Sequence, residues 1–163
     1  MSRENHGIQP VFNQTSKILI LGSFPSVKSR ESHFFYGHPQ NRFWKVLAGV
    51  LTEPVPETIS EKKDFLLKNH IAVWDVIESC DITGSSDSSI KNVVPNNLKQ
   101  ILDCAPISQI ITNGNVSTKL YEKYCLKETG RGALKLPSTS PANAAFSLER
   151  LIENWSCIRQ FLP

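Results

Sequence analysis

Four short apolar segments alternate with amphipathic segments along this chain, and this alternation constrains its fold more than any other feature. The apolar segments are residues 17–21, 71–77, 108–112 and 133–136. Short runs without polar alternation are typical of strands that are buried on both faces of a parallel sheet. The segments 41–51 and 147–162 carry apolar residues at helical spacing. The pattern predicts an α/β fold, a three-layer α/β/α sandwich around a short, mainly four-stranded parallel sheet.

Local signals predict further helices and loops. Thr58 and Glu61 have the spacing of a capping box, at the start of a helix that ends near Asn69. A short helix is predicted over 96–104, and another follows the turn at 113–115 and reaches about residue 125. The segment 23–40 and the Ser-rich segment 84–89 are predicted to be loops.

The bulk properties fit one domain that spans residues 1–163, with a polar extension at 1–14. The chain is 40% hydrophobic and 20% charged, as in ordinary globular proteins. Its four cysteines are scattered and form no CxxC pair, so we expect no metal, and we expect no cofactor. No stretch approaches the roughly 20 apolar residues of a membrane span, and residues 1–10 lack an apolar signal-peptide core. We therefore expect a cytoplasmic monomer without membrane contact.

Polar segments follow three of the predicted strands. These are residues 23–41, 75–89 and 137–143. In parallel sheets, ligands bind outside the carboxyl ends of the strands, and long loops within a domain are usually functional. The sequence therefore predicts one polar site that is built from these three loops. The net charge of +3 permits a basic face for nucleic acid but does not by itself argue for one.

The segment 37–46 reads GHPQNRFWKV and carries the most information about this site. It joins a proline, an amide, a guanidinium and two aromatic rings at the point where a loop becomes a helix. The combination indicates a polar site that is anchored on a packed helix, with Phe43 and Trp44 in the core. Asn41 either takes part in catalysis or caps the helix that it begins, and the two roles are compatible.

Three segments, in this order, resemble motifs of the uracil-DNA glycosylase superfamily. GSFPS at 22–26 resembles the turn of its first motif, and LPSTSPA at 136–142 resembles the loop that pinches the DNA strand. FYGHPQNRFWKV at 35–46 is similar to the corresponding stretch of the mismatch-specific uracil/thymine glycosylases. With WDV at 74–76 and GSSDS at 84–88, they look most like the hypoxanthine-DNA (deoxyinosine) glycosylase branch.

The resemblance implies a monofunctional DNA glycosylase. Such an enzyme hydrolyses the N-glycosidic bond of a flipped deaminated base, here hypoxanthine first, and leaves an abasic site for base excision repair. Its partners would be DNA that contains a deaminated base and the enzymes that repair abasic sites, and it would associate with the nucleoid when bound to DNA. Two alternatives stay open: an enzyme directed at uracil in mismatches or single strands, and a non-catalytic protein that binds damaged DNA.

One position departs from the family pattern. Where uracil glycosylases place an Asp or Asn that activates water, this chain has Phe24, whose ring cannot hold water. The resemblance implies that the amide of Asn41 takes over, with its carbonyl accepting a hydrogen bond from water and aiming the oxygen at C1′. We expect such an enzyme to be slow, or to act on a base that leaves easily.

The resemblance also implies a base pocket and a DNA-binding surface. The pocket residues are Gly22, Ser23, Phe24, Tyr36, Asp75 and Asn113, with Tyr36 as the stacking platform. The expected DNA contacts are Lys28, Arg30, His38, Arg42, Ser138, Thr139, Ser140, Pro141 and Ala142. Hydroxyl and N–H groups in 138–140 suit phosphate oxygens, whereas Pro141 and Ala142, assisted by Asn143, would fill the vacated stack.

Two residues allow more than one role. Asp75, an acid at the end of an apolar strand, either orients a pocket group or water, or caps the following loop. His38 contacts a phosphate, assists the leaving base, or only bonds within its loop. A dinucleotide-binding domain is disfavoured, because the segment 22–26 has one glycine and a proline and matches neither the dinucleotide fingerprint nor a P-loop.

Overall fold

Seven strands form two sheets within residues 2–163, the part of the chain that the computed structural model describes. The strands are β1 (Ser2–Asn5), β2 (Ile18–Gly22), β3 (Ile71–Asp75), β4 (Ile77–Ile82), β5 (Lys91–Pro95), β6 (Gln109–Asn113) and β7 (Ala133–Leu136). Four of them form a parallel sheet in the order β3-β2-β6-β7. The other three form an antiparallel sheet in the order β1-β4-β5.

The parallel sheet is covered on both faces. Every residue of β2 and β3 is buried, and successive side chains of a strand point to opposite faces. Helices therefore cover the sheet from both sides, which confirms the predicted α/β fold and its four-stranded parallel sheet. The carboxyl ends of β2, β3 and β6 lie side by side, at Gly22, Asp75 and Asn113.

Helices lie between the strands of the parallel sheet and after its last strand, β7. They are α1 (Val27–Ser32), α2 (Phe43–Leu51), α3 (Ile59–Lys68), α4 (Lys99–Leu102), α5 (Asn115–Tyr124), α6 (Leu126–Thr129) and α7 (Leu148–Trp155). Helix α7 continues as a 3₁₀ segment over Ser156–Phe161, so the predicted helix at 147–162 is divided into two types of turn. No helix among residues 2–163 is long and apolar enough to cross a membrane.

The predicted capping box at Thr58 is present and begins α3. The Thr58 hydroxyl accepts from the Glu61 N–H at 3.0 Å, and the Glu61 carboxylate accepts from the Thr58 N–H at 2.9 Å. The helix ends at Lys68, directly before Asn69, as predicted. Phe43 and Trp44 are buried in α2, which confirms that they belong to the core. The helix predicted over 96–104 is shorter, because only Lys99–Leu102 is α-helical.

Several strands and loops differ from the sequence prediction. The strand predicted over 71–77 is divided at Val76, because β3 pairs in the parallel sheet and β4 continues in the antiparallel one. The segment 91–95 was not predicted as a strand, since its exposed and half-buried residues give no apolar run. The predicted loop 23–40 contains α1, which is capped by the hydroxyl of Ser26.

Residues 2–14 pack on the domain, which corrects the polar extension that was expected at 1–14; Met1 lies outside the described residues. Strand β1 pairs with β4, and His6, Ile8 and Val11 are buried. Val11 also forms a bridge with Val73 of the parallel sheet. The composition of this segment hides its packing, because its buried side chains are separated by polar ones.

Candidate active site

One cavity of about 340 Å³ lies at the carboxyl ends of β2, β3 and β6. Its volume is in the range of small-ligand sites. The predicted site residues that line it are Gly22, Ser23, Phe24, Tyr36, His38, Asn41, Asp75, Asn113, Ser138, Thr139, Ser140, Pro141 and Ala142. The three cationic residues Lys28, Arg30 and Arg42 do not line it. The three loops expected to form one site therefore meet at one cavity, as the sheet topology requires.

The floor of the cavity brings an acid and a phenol against Gly22. A Cβ atom at Gly22 would clash with Asp75 Oδ1 and would lie 3.1 Å from the Tyr36 hydroxyl oxygen. Glycine at the end of β2 therefore gives these two polar groups room to converge. Asp75 itself is buried at the end of β3.

The other oxygen of Asp75 is bound by His6, which the sequence analysis did not identify. His6 Nε2 lies 2.7 Å from Asp75 Oδ2, and both side chains are buried. His6 Nδ1 accepts a hydrogen bond from the Ile8 N–H at 3.1 Å. Because Nδ1 is an acceptor, the imidazole is neutral and its proton is on Nε2, which donates to the carboxylate. Asp75 Oδ1 is thus the oxygen that remains for a ligand.

Tyr36 lies beside this carboxylate in an uncommon backbone conformation. Its φ is 52°, in the left-handed region, which is unusual for a bulky side chain and typical of functional sites. Its ring stacks on Phe43, with 3.9 Å between centroids, so helix α2 covers one face of the ring. The buried hydroxyl makes no hydrogen bond of good geometry to residues 2–163.

The hydroxyl of Tyr36 is held in its protonated form. Burial and the neighbouring charge of Asp75 raise the pKa of Tyr36, and the nearby amide of Asn113 offsets part of this rise. A protonated phenol can donate a hydrogen bond. Tyr36 is therefore a donor that is available to a ligand in the cavity.

Asn41 lines the cavity, and its amide oxygen is engaged by the protein. Its Oδ1 accepts from the Phe43 N–H at 2.9 Å and from the Thr139 hydroxyl at 2.8 Å. Both acceptor positions of the carbonyl oxygen are thus occupied. This geometry does not fit the expectation that the carbonyl accepts a hydrogen bond from water. Asn41 binds the N–H of Phe43, the first residue of α2, but the N-cap residue is Arg42, so the expectation that Asn41 is the N-cap is wrong.

Thr139 is buried and links Asn41 to Asn113. Its hydroxyl donates to Asn41 and accepts from the Asn113 amide at 3.1 Å. Its backbone N–H donates to Asn113 Oδ1 at 3.1 Å. These contacts argue against the phosphate contact expected of Thr139, because its hydroxyl and its N–H are both engaged by the protein. Thr139 instead fixes the orientation of two amides.

Arg42 holds the loop that follows β7. Its guanidinium donates to the carbonyls of Ser140 at 3.0 Å and Asn143 at 3.1 Å, and to the carbonyl of Phe146. These bonds tie the loop to the start of α2. They argue against the direct phosphate contact that the sequence suggested for Arg42.

Of the two cations on α1, Arg30 is engaged by the protein and Lys28 is not held by a close partner. Arg30 donates to the Gly84 carbonyl at 2.8 Å, and its guanidinium carbon lies 5.3 Å from the centre of the Phe24 ring. It thus joins α1 to the 84–89 loop, which also argues against a phosphate contact. Lys28 is exposed and has one weak ion pair, 3.9 Å from Glu31. It remains available to a phosphate.

The loop 137–143 forms one rim of the cavity. The hydroxyls of Ser138 and Ser140 accept from the N–H groups of Ser140 and Ala142, each at 3.1 Å. Each hydroxyl retains a proton that it can donate. Pro141 and Ala142 are exposed at the tip of this loop. Across the cavity, His38 Nδ1 accepts from the N–H of Gln40 within its own loop.

Asp87 is a second acid of the cavity that the sequence analysis missed as a site residue. It begins a 3₁₀ turn over Asp87–Ser89 and accepts from the Ser23 hydroxyl at 3.4 Å. Although the residue is exposed, desolvation on the cavity side and the charge of Asp75 raise its pKa, and the Ser23 hydroxyl opposes this. Residues 2–163 contain no group of three or more His, Cys, Asp or Glu side chains that is arranged to hold a metal ion.

Comparison with known proteins assigns the chain to a family. A model described as the uracil DNA glycosylase superfamily matches residues 9–160. The chain belongs to the uracil DNA glycosylase superfamily. A protein named hypoxanthine DNA glycosylase from Methanosarcina barkeri is 32% identical over 155 residues, which are 94% of this chain and 96% of that protein. A protein of the same name from Methanosarcina acetivorans is 33% identical over 153 residues, 93% and 96% of the two chains.

A solved structure agrees with this assignment. It is a solution NMR structure from Methanosarcina acetivorans, with the provisional description uracil DNA glycosylase. It has a TM-score of 0.80 and 32% sequence identity, and the match covers 94% of this chain and 95% of that one. The resemblance seen in the motifs is thus confirmed.

Within this superfamily member, Phe24 is part of the cavity wall. Its side chain is 9% exposed and packs edge-on against His6, with 6.1 Å between ring centroids. An apolar ring at this position cannot orient water. The polar groups that remain for chemistry are the amide of Asn41 and the groups at the cavity floor.

Proposed function

We propose that this protein is a monofunctional DNA glycosylase that hydrolyses the N-glycosidic bond of a flipped-out deoxyinosine and leaves an abasic site for repair enzymes. Membership of the uracil DNA glycosylase superfamily supports the class of reaction. The two relatives named hypoxanthine DNA glycosylase support the choice of base. The observation that carries the proposal is the Asp75 carboxylate at the cavity floor. His6 binds its Oδ2 and leaves its Oδ1 for a ligand.

The carboxylate suits the edge of a deaminated base. Deamination places a hydrogen on the ring nitrogen, so that N1 of hypoxanthine and N3 of uracil are donors, whereas N1 of adenine and N3 of cytosine are acceptors. A flipped base is read by hydrogen bonds to this edge. Asp75 accepts a hydrogen bond from either deaminated base and repels the lone pair of either parent base. Tyr36 and the Asn113 amide supply donors for the carbonyl oxygen of the base.

Uracil is a second candidate substrate, because its N3–H suits the same carboxylate. A purine and a pyrimidine differ in the depth to which they reach from C1′, so one cavity favours one of them. The match to relatives named for hypoxanthine puts the purine first.

Hydrolysis requires that charge be separated and that water be placed at C1′. The C1′–N bond breaks with its electron pair on the base, water oxygen bonds to C1′, the water proton passes to solvent and the base is neutralised by a proton from solvent. In our proposal, the Asn41 N–H₂ group donates a hydrogen bond to this water, so that its free lone pair faces C1′. A neutral donor cannot remove the proton, so we expect base release to be slow and the proton transfer to be late.

The DNA strand is held mainly by the loop 137–143 in this proposal. The hydroxyls of Ser138 and Ser140 and the ammonium of Lys28 contact phosphates, which positions the strand without reading sequence. Pro141 and Ala142 enter the gap that the flipped nucleotide leaves. His38 lies on the opposite rim, where its ring can donate to the strand.

Base release under single-turnover conditions tests the proposed function. Duplexes with one deoxyinosine or one deoxyuridine are incubated with excess protein and a chelator, and abasic sites are revealed by alkaline cleavage. We expect faster release of hypoxanthine and strongly reduced release by Asn41→Ala. Faster release of uracil would support the second candidate. Binding without release from either duplex would overturn the proposal in favour of a protein that only binds damaged DNA.

A further inference from the structure

We infer that His6 is a positioning residue for base recognition: the hydrogen bond from its Nε2–H holds Asp75 so that Oδ1 stays free to accept the N–H of the deaminated base. The inference rests on the proposed function and adds to it a residue from outside the three loops of the site. Its basis is the buried pair at 2.7 Å at the cavity floor.

The imidazole is fixed by packing. Three aromatic rings surround it, with centroid distances of 6.1 Å to Phe24, 5.9 Å to Phe35 and 6.4 Å to Trp74. A side chain that is enclosed in this way has little freedom to change rotamer. The direction of its Nε2–H bond is therefore set before a base arrives.

The tautomer is fixed by the backbone. The Ile8 N–H donates to Nδ1, so the imidazole cannot move its proton to Nδ1 without losing this bond. Nε2 is consequently a donor to whatever acceptor residue 75 provides. An amide at position 75 would turn its oxygen to His6 and its N–H₂ group to the cavity. His6 therefore also determines that a carboxylate, and not an amide, presents an acceptor to the base.

The small antiparallel sheet places His6 against Asp75, one of the residues that line the cavity. Strand β1 pairs with β4, which continues from β3 through Val76, and the His6 N–H donates to the Glu78 carbonyl at 2.7 Å. After Ile8, the bridge between Val11 and Val73 returns the chain to the parallel sheet. Asp75 ends β3 and Glu78, which binds His6, lies in β4. Because only Val76 separates these two strands, His6 and Asp75 are held close together.

A role in base recognition differs measurably from a role in stability alone. A stabilising residue affects every activity of the protein in proportion to the folded fraction. A residue that orients Asp75 affects only steps in which the base is present. The affinity for duplex DNA with a stable abasic-site analogue, which has no base, separates the two roles.

The first variants are His6→Leu, which removes the donor, and His6→Gln, whose amide N–H can reach the position of Nε2–H. His70→Asn is the matched control, because His70 precedes β3 at the opposite end of the sheet and bonds to the Thr15 carbonyl. We expect His6→Leu to slow single-turnover release of hypoxanthine about tenfold to a hundredfold, as for the loss of a hydrogen bond to a charged group. His6→Gln should retain most of the rate, and His70→Asn should match the wild type.

The second step compares His6→Leu in the wild-type and Asp75→Asn backgrounds. We expect Asp75→Asn to release hypoxanthine slowly. The double variant, Asp75→Asn with His6→Leu, should release it at least as fast as Asp75→Asn alone, because the amide is then free to turn its oxygen to the base. Affinity for the abasic-site analogue should be unchanged in every variant, with thermal unfolding measured in parallel to confirm folding.

Three results would overturn the inference while leaving the proposed function intact. The first is a wild-type rate of hypoxanthine release in His6→Leu. The second is that His6→Leu slows release equally in the wild-type and Asp75→Asn backgrounds. The third is that His6→Leu loses affinity for the abasic-site analogue to the same extent as it loses rate. A wild-type protein that releases no base would overturn the proposed function itself, and the inference with it.

Discussion

At the scale of single residues, the amide of Asn41 is defined by what its oxygen already binds. The Phe43 N–H and the Thr139 hydroxyl use the acceptor, so the N–H₂ group is the part that remains for the DNA. The sequence pointed to the residue but not to this orientation, because the partner Thr139 is 98 positions away.

Asn41→Asp tests this orientation. The substitution keeps the shape and the acceptor for Phe43, but it replaces the donor facing the cavity by a charged acceptor. We expect single-turnover base release to fall about a hundredfold, a magnitude typical of the loss of one oriented donor, and to a similar extent in Asn41→Ala. If Asn41 worked by accepting a hydrogen from water, Asn41→Asp would be as fast as the wild type or faster.

Thr139→Val tests the link between the two amides. Valine has nearly the same shape but lacks the hydroxyl, which leaves Asn41 and Asn113 without one partner each. We expect a loss of about 1–3 kcal/mol in the free energy of unfolding and slower base release, whereas Thr139→Ser should retain both properties. Urea denaturation and single-turnover release measure them. A wild-type release rate in Thr139→Val would show that the link is not needed for catalysis.

At the scale of elements, two cations near the site have different partners. Arg42 is engaged by carbonyls of the loop after β7, and Lys28 is exposed on α1. Both looked like phosphate contacts in the sequence, because a charge pattern does not show which cations are held by backbone carbonyls.

The salt dependence of DNA binding separates these two roles. A phosphate contact contributes about 0.9 to the slope of log K against log salt concentration for duplex DNA. We expect Lys28→Met to reduce the slope by about this amount. Arg42→Met should weaken binding with an unchanged slope, because the loop that it disorders contacts phosphates through neutral hydroxyls and no cation is removed from a phosphate. The opposite pattern, a slope change in Arg42→Met alone, would contradict these assignments.

Elements with a continuous local signal were predicted, and those defined by distant pairing were not. The runs in β2 and β3 and the capping box of α3 are readable within ten residues. Strand β1 consists of the polar residues SREN, and its partner β4 lies more than 70 positions away. No local pattern marks such a pair, so the antiparallel sheet and the packing of His6 remained hidden.

At the scale of the whole molecule, parallel topology explains why most of the site was predictable. The carboxyl ends of parallel strands meet at one edge of the sheet, so the loops 23–41, 75–89 and 137–143 were expected to form one site. The family resemblance then pointed to Gly22, Asp75 and Asn113 as pocket residues. Asp87 lines the same cavity, and His6 contacts Asp75 without lining the cavity itself; both placements depend on tertiary packing. Their presence follows from the fold and not from any spacing in the chain.

The buried phenol of Tyr36 affects stability at alkaline pH. Its pKa is raised in the folded protein, whereas in the unfolded chain it is about 10. Its contribution to stability is therefore complete below a pH of about 10. Above this pH only the unfolded chain ionises, so the free energy of unfolding decreases by up to about 1.4 kcal/mol per pH unit. We expect Tyr36→Phe to lose stability less steeply between pH 9 and 11 (about one unit on either side of the unfolded-chain value). Equal slopes in urea denaturation of the two proteins would contradict this.

In the proposed mechanism the Asp75 carboxylate selects a base with a ring N–H, and the release of hypoxanthine compared with that of adenine tests this selection. Single-turnover release of hypoxanthine and of adenine is measured from duplexes that differ only in this base, with wild type and Asp75→Asn. We expect the wild type to release hypoxanthine and not adenine, and Asp75→Asn to lose this selectivity and to release hypoxanthine much more slowly. A wild-type rate and selectivity in Asp75→Asn would show that the carboxylate does not select the base.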